Sequence, residues 1–279
     1  MLGPAFALGS SLGYGVGDFL GGTTSRHIGT LRFIFCAQLI GVVLAGGWVA
    51  FAADPIPPIG TVAAAAGAGL GLTVGLAAFF QAMAVGKMSL VAPITATGVV
   101  LPVAVGIFRG DHPSAVQVIG IVAAIAGVVL VARTPGERRA DRTESGLGLA
   151  LLAALGTGVF LWLMAPASRH GVPWAIFICR AIPTVVLSVV FRIQHPSLRP
   201  ALQPRTASMI LAQAVLGFVA TTLYAFATLH GQLAIVSVLG SLYPAVTVML
   251  AYRLLGERLA GVQQLGILAV LGGVVLLSV

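Results

Sequence analysis

The sequence predicts an all-α integral membrane protein with ten transmembrane helices in two inverted five-helix repeats. Three observations predict it. Only 8% of the 279 residues are charged and 58% are hydrophobic, whereas about a quarter of a soluble domain is charged. The apolar residues fall in successive runs of roughly 20, the length that crosses a bilayer as a helix. The second half of the chain also repeats the first, and a repeat this long fixes the architecture.

Taken in order, the spans are 3–22, 28–51, 59–83, 88–108 and 114–132, then 146–166, 173–191, 206–229, 233–252 and 261–279. The first starts at Leu2 with no basic region before it and no cleavage pattern, so it reads as a retained helix, not a signal. Gly9, Gly13, Gly17 and Gly21 form a stripe along it, Gly67, Gly71 and Gly75 along the third, and Ala150, Ala154 and Gly158 along the sixth. Such stripes let backbones approach where no hydrophobic force draws helices together. Between the fifth and sixth spans, 133–145 is dense in both charge signs, and Ser145 is placed to cap the sixth helix. The chain thus divides into a first repeat (1–132), a charged linker (133–145) and a second repeat (146–279).

The duplication is visible residue by residue. Ser25-Arg26-His27 matches Ser168-Arg169-His170, Cys36 matches Cys179, and Gly13 and Gly15 match Gly156 and Gly158, all 143 residues apart. The offset is 145 at Gly86 and Gly231, and both copies end on Gly-Val-Val-Leu, at 127–130 and 273–276. Because five is odd, the second copy enters the membrane with opposite topology, an arrangement that supports alternating access.

Lys and Arg number twelve in loops after odd spans and two, Arg109 and Arg169, after even ones. The positive-inside rule then puts both termini outside a cell (inner) membrane. The same rule accounts for the net charge of +8, so no nucleic-acid partner is expected. Cys36 and Cys179 are distant and lie inside apolar runs, which speaks against a disulfide framework or zinc site. No cofactor is expected, and without a Walker A loop neither is ATP-driven transport.

Ser241-Leu242-Tyr243-Pro244-Ala245, followed by Leu255-Gly256-Glu257-Arg258-Leu259, resembles the EamA domain of the drug/metabolite transporter superfamily. The first copy is similar through Ser89-Leu90-Val91-Ala92-Pro93 and Gly110-Asp111-His112-Pro113-Ser114. The resemblance covers essentially the whole chain. It implies secondary transport, commonly export, of small metabolites such as amino acids or of drug-like amphiphiles. It also implies cytoplasmic termini, opposite to the charge count.

Intramembrane ionisable groups mark candidate sites because each is costly in hydrocarbon. Two stand out, Asp18 and Arg180, whose counterparts at the 143 offset are Leu161 and Ala37. Rise per residue puts Asp18 roughly 22 Å down its helix and Arg180 roughly 10 Å down its own, which argues for separate sites. Arg180 would hold a carboxylate or phosphate, and Asp18 an amine or a coupling proton. Bland alternatives are Arg180 satisfied by helix carbonyls and Asp18 bonded to Thr23 or Thr24. Phe79 and Tyr224, equivalent in the repeat, with Trp162, Tyr14, Tyr243 and Gln81, are further substrate-binding candidates. The expected partners are a small-molecule substrate and the bilayer, with monomer and homodimer both open. The rival readings are a translocase for lipid-linked sugars, a membrane enzyme and a non-transporting scaffold.

Overall fold

The computed structural model describes residues 2–86, 88–108, 114–132, 140–231, 233–256 and 261–276. The hinge residues Gly110, Asp111, His112, Glu257 and Arg258, and linker residues 133–139, lie outside them. Among the described residues the regular structure is helical: α1 (Leu2–Ile28), α2 (Thr30–Ala52), α3 (Ile59–Val85), α4 (Met88–Ala96), α5 (Val100–Phe108), α6 (Ala115–Ala132), α7 (Ala140–Ser168), α8 (Val172–Gln194), α9 (Pro204–His230), α10 (Leu233–Gly240), α11 (Tyr243–Leu255) and α12 (Gly261–Leu276). Five described segments are long and apolar enough to cross a membrane: α2, α3, residues Gly146–Ser168 of α7, α8 and α9.

Helices outrun the apolar spans because polarity ends a membrane crossing without ending a helix. α1 continues past residue 22 through Thr23, Thr24 and Ser25, whose hydroxyls are satisfied by carbonyls of the preceding turn. α7 begins at Ala140, so Ser145 lies inside the helix and does not cap it.

Two of the expected spans are broken. The fourth is α4, a 3₁₀ turn at Thr97–Val99, and α5; the ninth is α10, a turn at Ser241 and Leu242, and α11. Pro102 and Pro244 each follow a glycine, Gly98 and Gly240, by four residues. Each proline lacks the N–H that would reach that glycine's carbonyl, so the ladder is interrupted in both copies. Pro93 lies within α4, ahead of its break, whereas Pro244 starts α11 beyond its own. The stretches Ser89–Pro93 and Ser241–Ala245, paired by their similarity, are therefore not structural counterparts.

Packing follows the duplication. α1 packs along α9 and α3 along α7, while α2 meets α8 and α6 meets α12. At the α3–α7 crossing, a Cβ on Gly156 would lie 2.7 Å from the Gly71 carbonyl and 2.5 Å from the Gly75 nitrogen. At the α1–α9 crossing, a Cβ on Gly13 would lie 3.4 Å from the Leu216 carbonyl and 3.0 Å from the Ala220 Cβ. Gly156 is the counterpart of Gly13, and Leu216 and Ala220 are those of Gly71 and Gly75. One crossing is built twice, more tightly where glycines face each other.

The register shifts in α2 and α8. Both helices start after a positive-φ glycine, Gly29 at 86° and Gly171 at 118°, and both end on a left-handed residue, Ala53 at 50° and His195 at 46°. Caps at both ends are spaced by 142, because Ile28 has no counterpart before Gly171. Arg180 therefore corresponds to Gln38, not Ala37.

Candidate functional site

The four helices of the two crossings, α1, α3, α7 and α9, with Thr95 of α4, line a half-open cavity of about 60 Å³. The α10–α11 break closes one wall through Gly240, Ser241 and Tyr243. Repeat-related positions line it from both sides: Tyr14 with Thr157, Asp18 with Leu161, and Phe79 with Tyr224. Of the eight candidates, Asp18, Tyr14, Phe79, Tyr224 and Tyr243 border this cavity. Trp162 is half-buried on α7 and Gln81 is exposed on α3, and neither borders it.

Asp18 is 8% exposed, and that opening is toward the cavity. Thr23 donates to the Phe19 and Leu20 carbonyls and Thr24 to that of Leu20, so neither hydroxyl is turned to it. Among the described residues its carboxylate has no hydrogen bond or ion pair. Asp18 lies one helical turn beyond Tyr14, on the same face of α1. Tyr14 meets Tyr243 edge to face, with ring centroids 6.3 Å apart. Tyr224 lies opposite, its hydroxyl donating to the Leu161 carbonyl (3.3 Å) and 2.9 Å from Ser237 Oγ. The result is a single carboxylate in an aromatic enclosure.

Arg180 is buried outside the cavity, at the α2–α8–α9 junction. Its Nη1 donates to Gln38 Oε1 (2.9 Å), and its Nη2 donates to the Gly217 carbonyl (2.7 Å) and Thr221 Oγ1 (3.0 Å). Glycines make the slot: a Cβ on Gly41 would lie 3.3 Å from Nη1, and one on Gly217 3.6 Å from Nη2. Thr221 in turn accepts from the Tyr14 hydroxyl at 2.9 Å. Arg180 and Asp18, expected about 12 Å apart in depth, thus lie on either side of Tyr14, which bonds Thr221 and shares the cavity lining with Asp18. Equal starting depths and straight helices gave the depth estimate, which carries no information on lateral neighbours.

Sequence reasoning missed Gln38, Thr221, Thr157 and Ser241. A signal existed for Gln38 and Thr221, since both are polar positions within strongly apolar runs. Thr157 and Ser241 are too common as packing residues to stand out.

The family model described as the EamA-like transporter family matches the chain twice, over residues 1–133 and 144–279. No curated protein matches. Among solved structures, one titled "Crystal structure of protein" aligns with a TM-score of 0.69 at 16% identity, covering 98% of this chain and 95% of that one. At that identity the likeness is one of fold.

Proposed function

The chain belongs to the EamA-like transporter family, of the drug/metabolite transporter type, and from that premise we propose that it exports a small amphipathic amine. Amino acid-like and drug-like amines both fit this class. The observation that carries the reading is Asp18, a carboxylate with no partner among the described residues, facing a cavity walled by Tyr14, Phe79, Tyr224 and Tyr243. An unpaired charge within the membrane is costly, so Asp18 binds a cation or takes up a proton. A site that does both exchanges amine for proton, and aromatic faces add to the attraction for an ammonium group.

We propose ten transmembrane helices in two inverted repeats, 1–132 and 146–279, working by alternating access in the inner membrane with the termini outside. The doubled crossing supports this, and so does a difference between the ends. Arg26 Nε donates to the Met83 carbonyl (2.8 Å) and its Nη2 to that of Gly86 (2.6 Å), tying α1 to the C-terminus of α3. Its counterpart Arg169 is exposed and makes no hydrogen bond among the described residues. In the opposite state Arg169 engages the equivalent carbonyls, Thr228 and Gly231, as Arg26 lets go.

The test is thermal stabilisation of the purified protein by a panel of amines, amino acids and lipids, repeated with Asp18→Asn. Amines stabilise the wild type, less so at lower pH as protons compete for Asp18, and they do not stabilise the variant. Stabilisation of Asp18→Asn equal to wild type would overturn the assignment.

A further inference from the structure

We propose that Arg180 and Thr221 are positioning residues that fix the polarity of the Tyr14 hydroxyl. The Tyr14 oxygen beside Asp18 then offers the cavity lone pairs only, and the pair selects ammonium groups bearing N–H over quaternary ammonium of equal charge. This rests on Asp18 as the amine site and adds a second determinant to it.

The inference comes from counting protons. The Thr221 hydroxyl has one hydrogen, which it donates to the Gly217 carbonyl at 2.7 Å. Its two lone pairs accept from Arg180 Nη2 at 3.0 Å and from the Tyr14 hydroxyl at 2.9 Å. A hydroxyl has one donor and two acceptor sites, so Thr221 is saturated. Arg180 has hydrogens only to give, so the Thr221 hydrogen points away from it, and the short contact to the Gly217 carbonyl is where it goes. Tyr14 therefore has one role left toward Thr221, that of donor.

The consequence falls on the cavity side. With its proton committed to Thr221, the Tyr14 oxygen has only lone pairs to offer a ligand, and the acceptor-only carboxylate of Asp18 lies one turn along α1. A primary ammonium has three hydrogens to share between these groups. A trimethylated one has the same charge and no hydrogen to give. The Arg180 guanidinium offers a ligand carboxylate no donor, because it is turned to Gln38, Gly217 and Thr221. The positions opposite are Leu161 for Asp18 and Leu76 for Thr221, so the device exists on one side only.

The test compares the affinity of purified protein for phenethylammonium and for its N,N,N-trimethyl analogue, both monovalent at neutral pH with the same tail. The wild type prefers the N–H-bearing cation by on the order of tenfold, the worth of a hydrogen bond to a charged group. Thr221→Val frees the Tyr14 hydroxyl to turn its hydrogen to the cavity, and the preference collapses while affinity for the trimethyl probe stays near wild type. Thr221→Ser restores the preference, and Arg180→Met, where it folds, weakens it. General loosening of the site would lower both affinities together and leave their ratio intact. An unchanged ratio in Thr221→Val, or equal wild-type affinities for the two probes, overturns the polarity lock and leaves Asp18 as a cation site. Binding of neither probe by wild type overturns the amine reading itself.

Discussion

Replacing Gly156 with alanine tests whether the doubled crossing sets the stability of the fold. The new Cβ would sit 2.5 Å from the Gly75 nitrogen and 2.7 Å from the Gly71 oxygen. Atoms at optimal separation stand about 3.5–4.0 Å apart, so α3 and α7 must part by about 1 Å. Both obstacles are backbone, so no side chain can swing aside. Overpacking of this kind costs about 1–3 kcal/mol, against a gain of about 1 kcal/mol from replacing glycine within a helix. Gly148, on the same helix, has nothing within 4 Å of its would-be Cβ, so Gly148→Ala keeps the gain alone. The two variants should therefore differ by about 1–3 kcal/mol, or roughly 2–5 °C in melting temperature for a chain of this size. Melting at one fixed scan rate in one detergent measures it, and Gly13→Ala should fall between them, because its first contacts are at 3.0 and 3.4 Å. Equal melting of Gly156→Ala and Gly148→Ala would refute the view that this approach is tight.

Two further outcomes follow from named contacts. Arg26→Ala removes both bonds to the end of α3 and should bias the protein toward the opposite state; labelling of a cysteine placed at Thr157, which borders the cavity, from either side of the membrane should shift accordingly, and Arg169→Ala should leave that pattern unchanged or move it the other way. Tyr224→Phe leaves Ser237 without its phenol partner and should cost about 1 kcal/mol of stability, read as a lower melting temperature with amine selectivity retained.

The fold was legible where the duplication spoke. Equivalence of Gly13 with Gly156 follows from the sequence, and those two glycines lie at equivalent crossings. The helix breaks were not legible from hydropathy, because the apolar run continues through Thr97–Val99 and through Ser241 and Leu242. Hydropathy reports the solvent a segment prefers, not the continuity of its hydrogen bonds. A usable signal was a glycine four residues before a proline, at Gly98 and Pro102 and again at Gly240 and Pro244. The slip in α2 and α8 was hidden for a related reason: Cys36 and Cys179 align well at 143, while the caps, which see backbone conformation, stand 142 apart.

That slip changes what asymmetry means in this chain. At the earlier register Arg180 faces an alanine, as if a charge had been added to one half alone. At the structural register it faces Gln38 and is hydrogen-bonded to it, so the junction is polar in both halves. The positions that truly differ, Asp18 against Leu161 and Thr221 against Leu76, border the cavity or hold a group that does. A symmetric pair of repeats would place two carboxylates across one small space, and like charges that close do not both ionise. Fusion of the copies into one chain allows the second acid to be a leucine. On the proposed reading the site then carries a single negative charge, which suits one monovalent cation or one proton at a time, the condition for exchanging them.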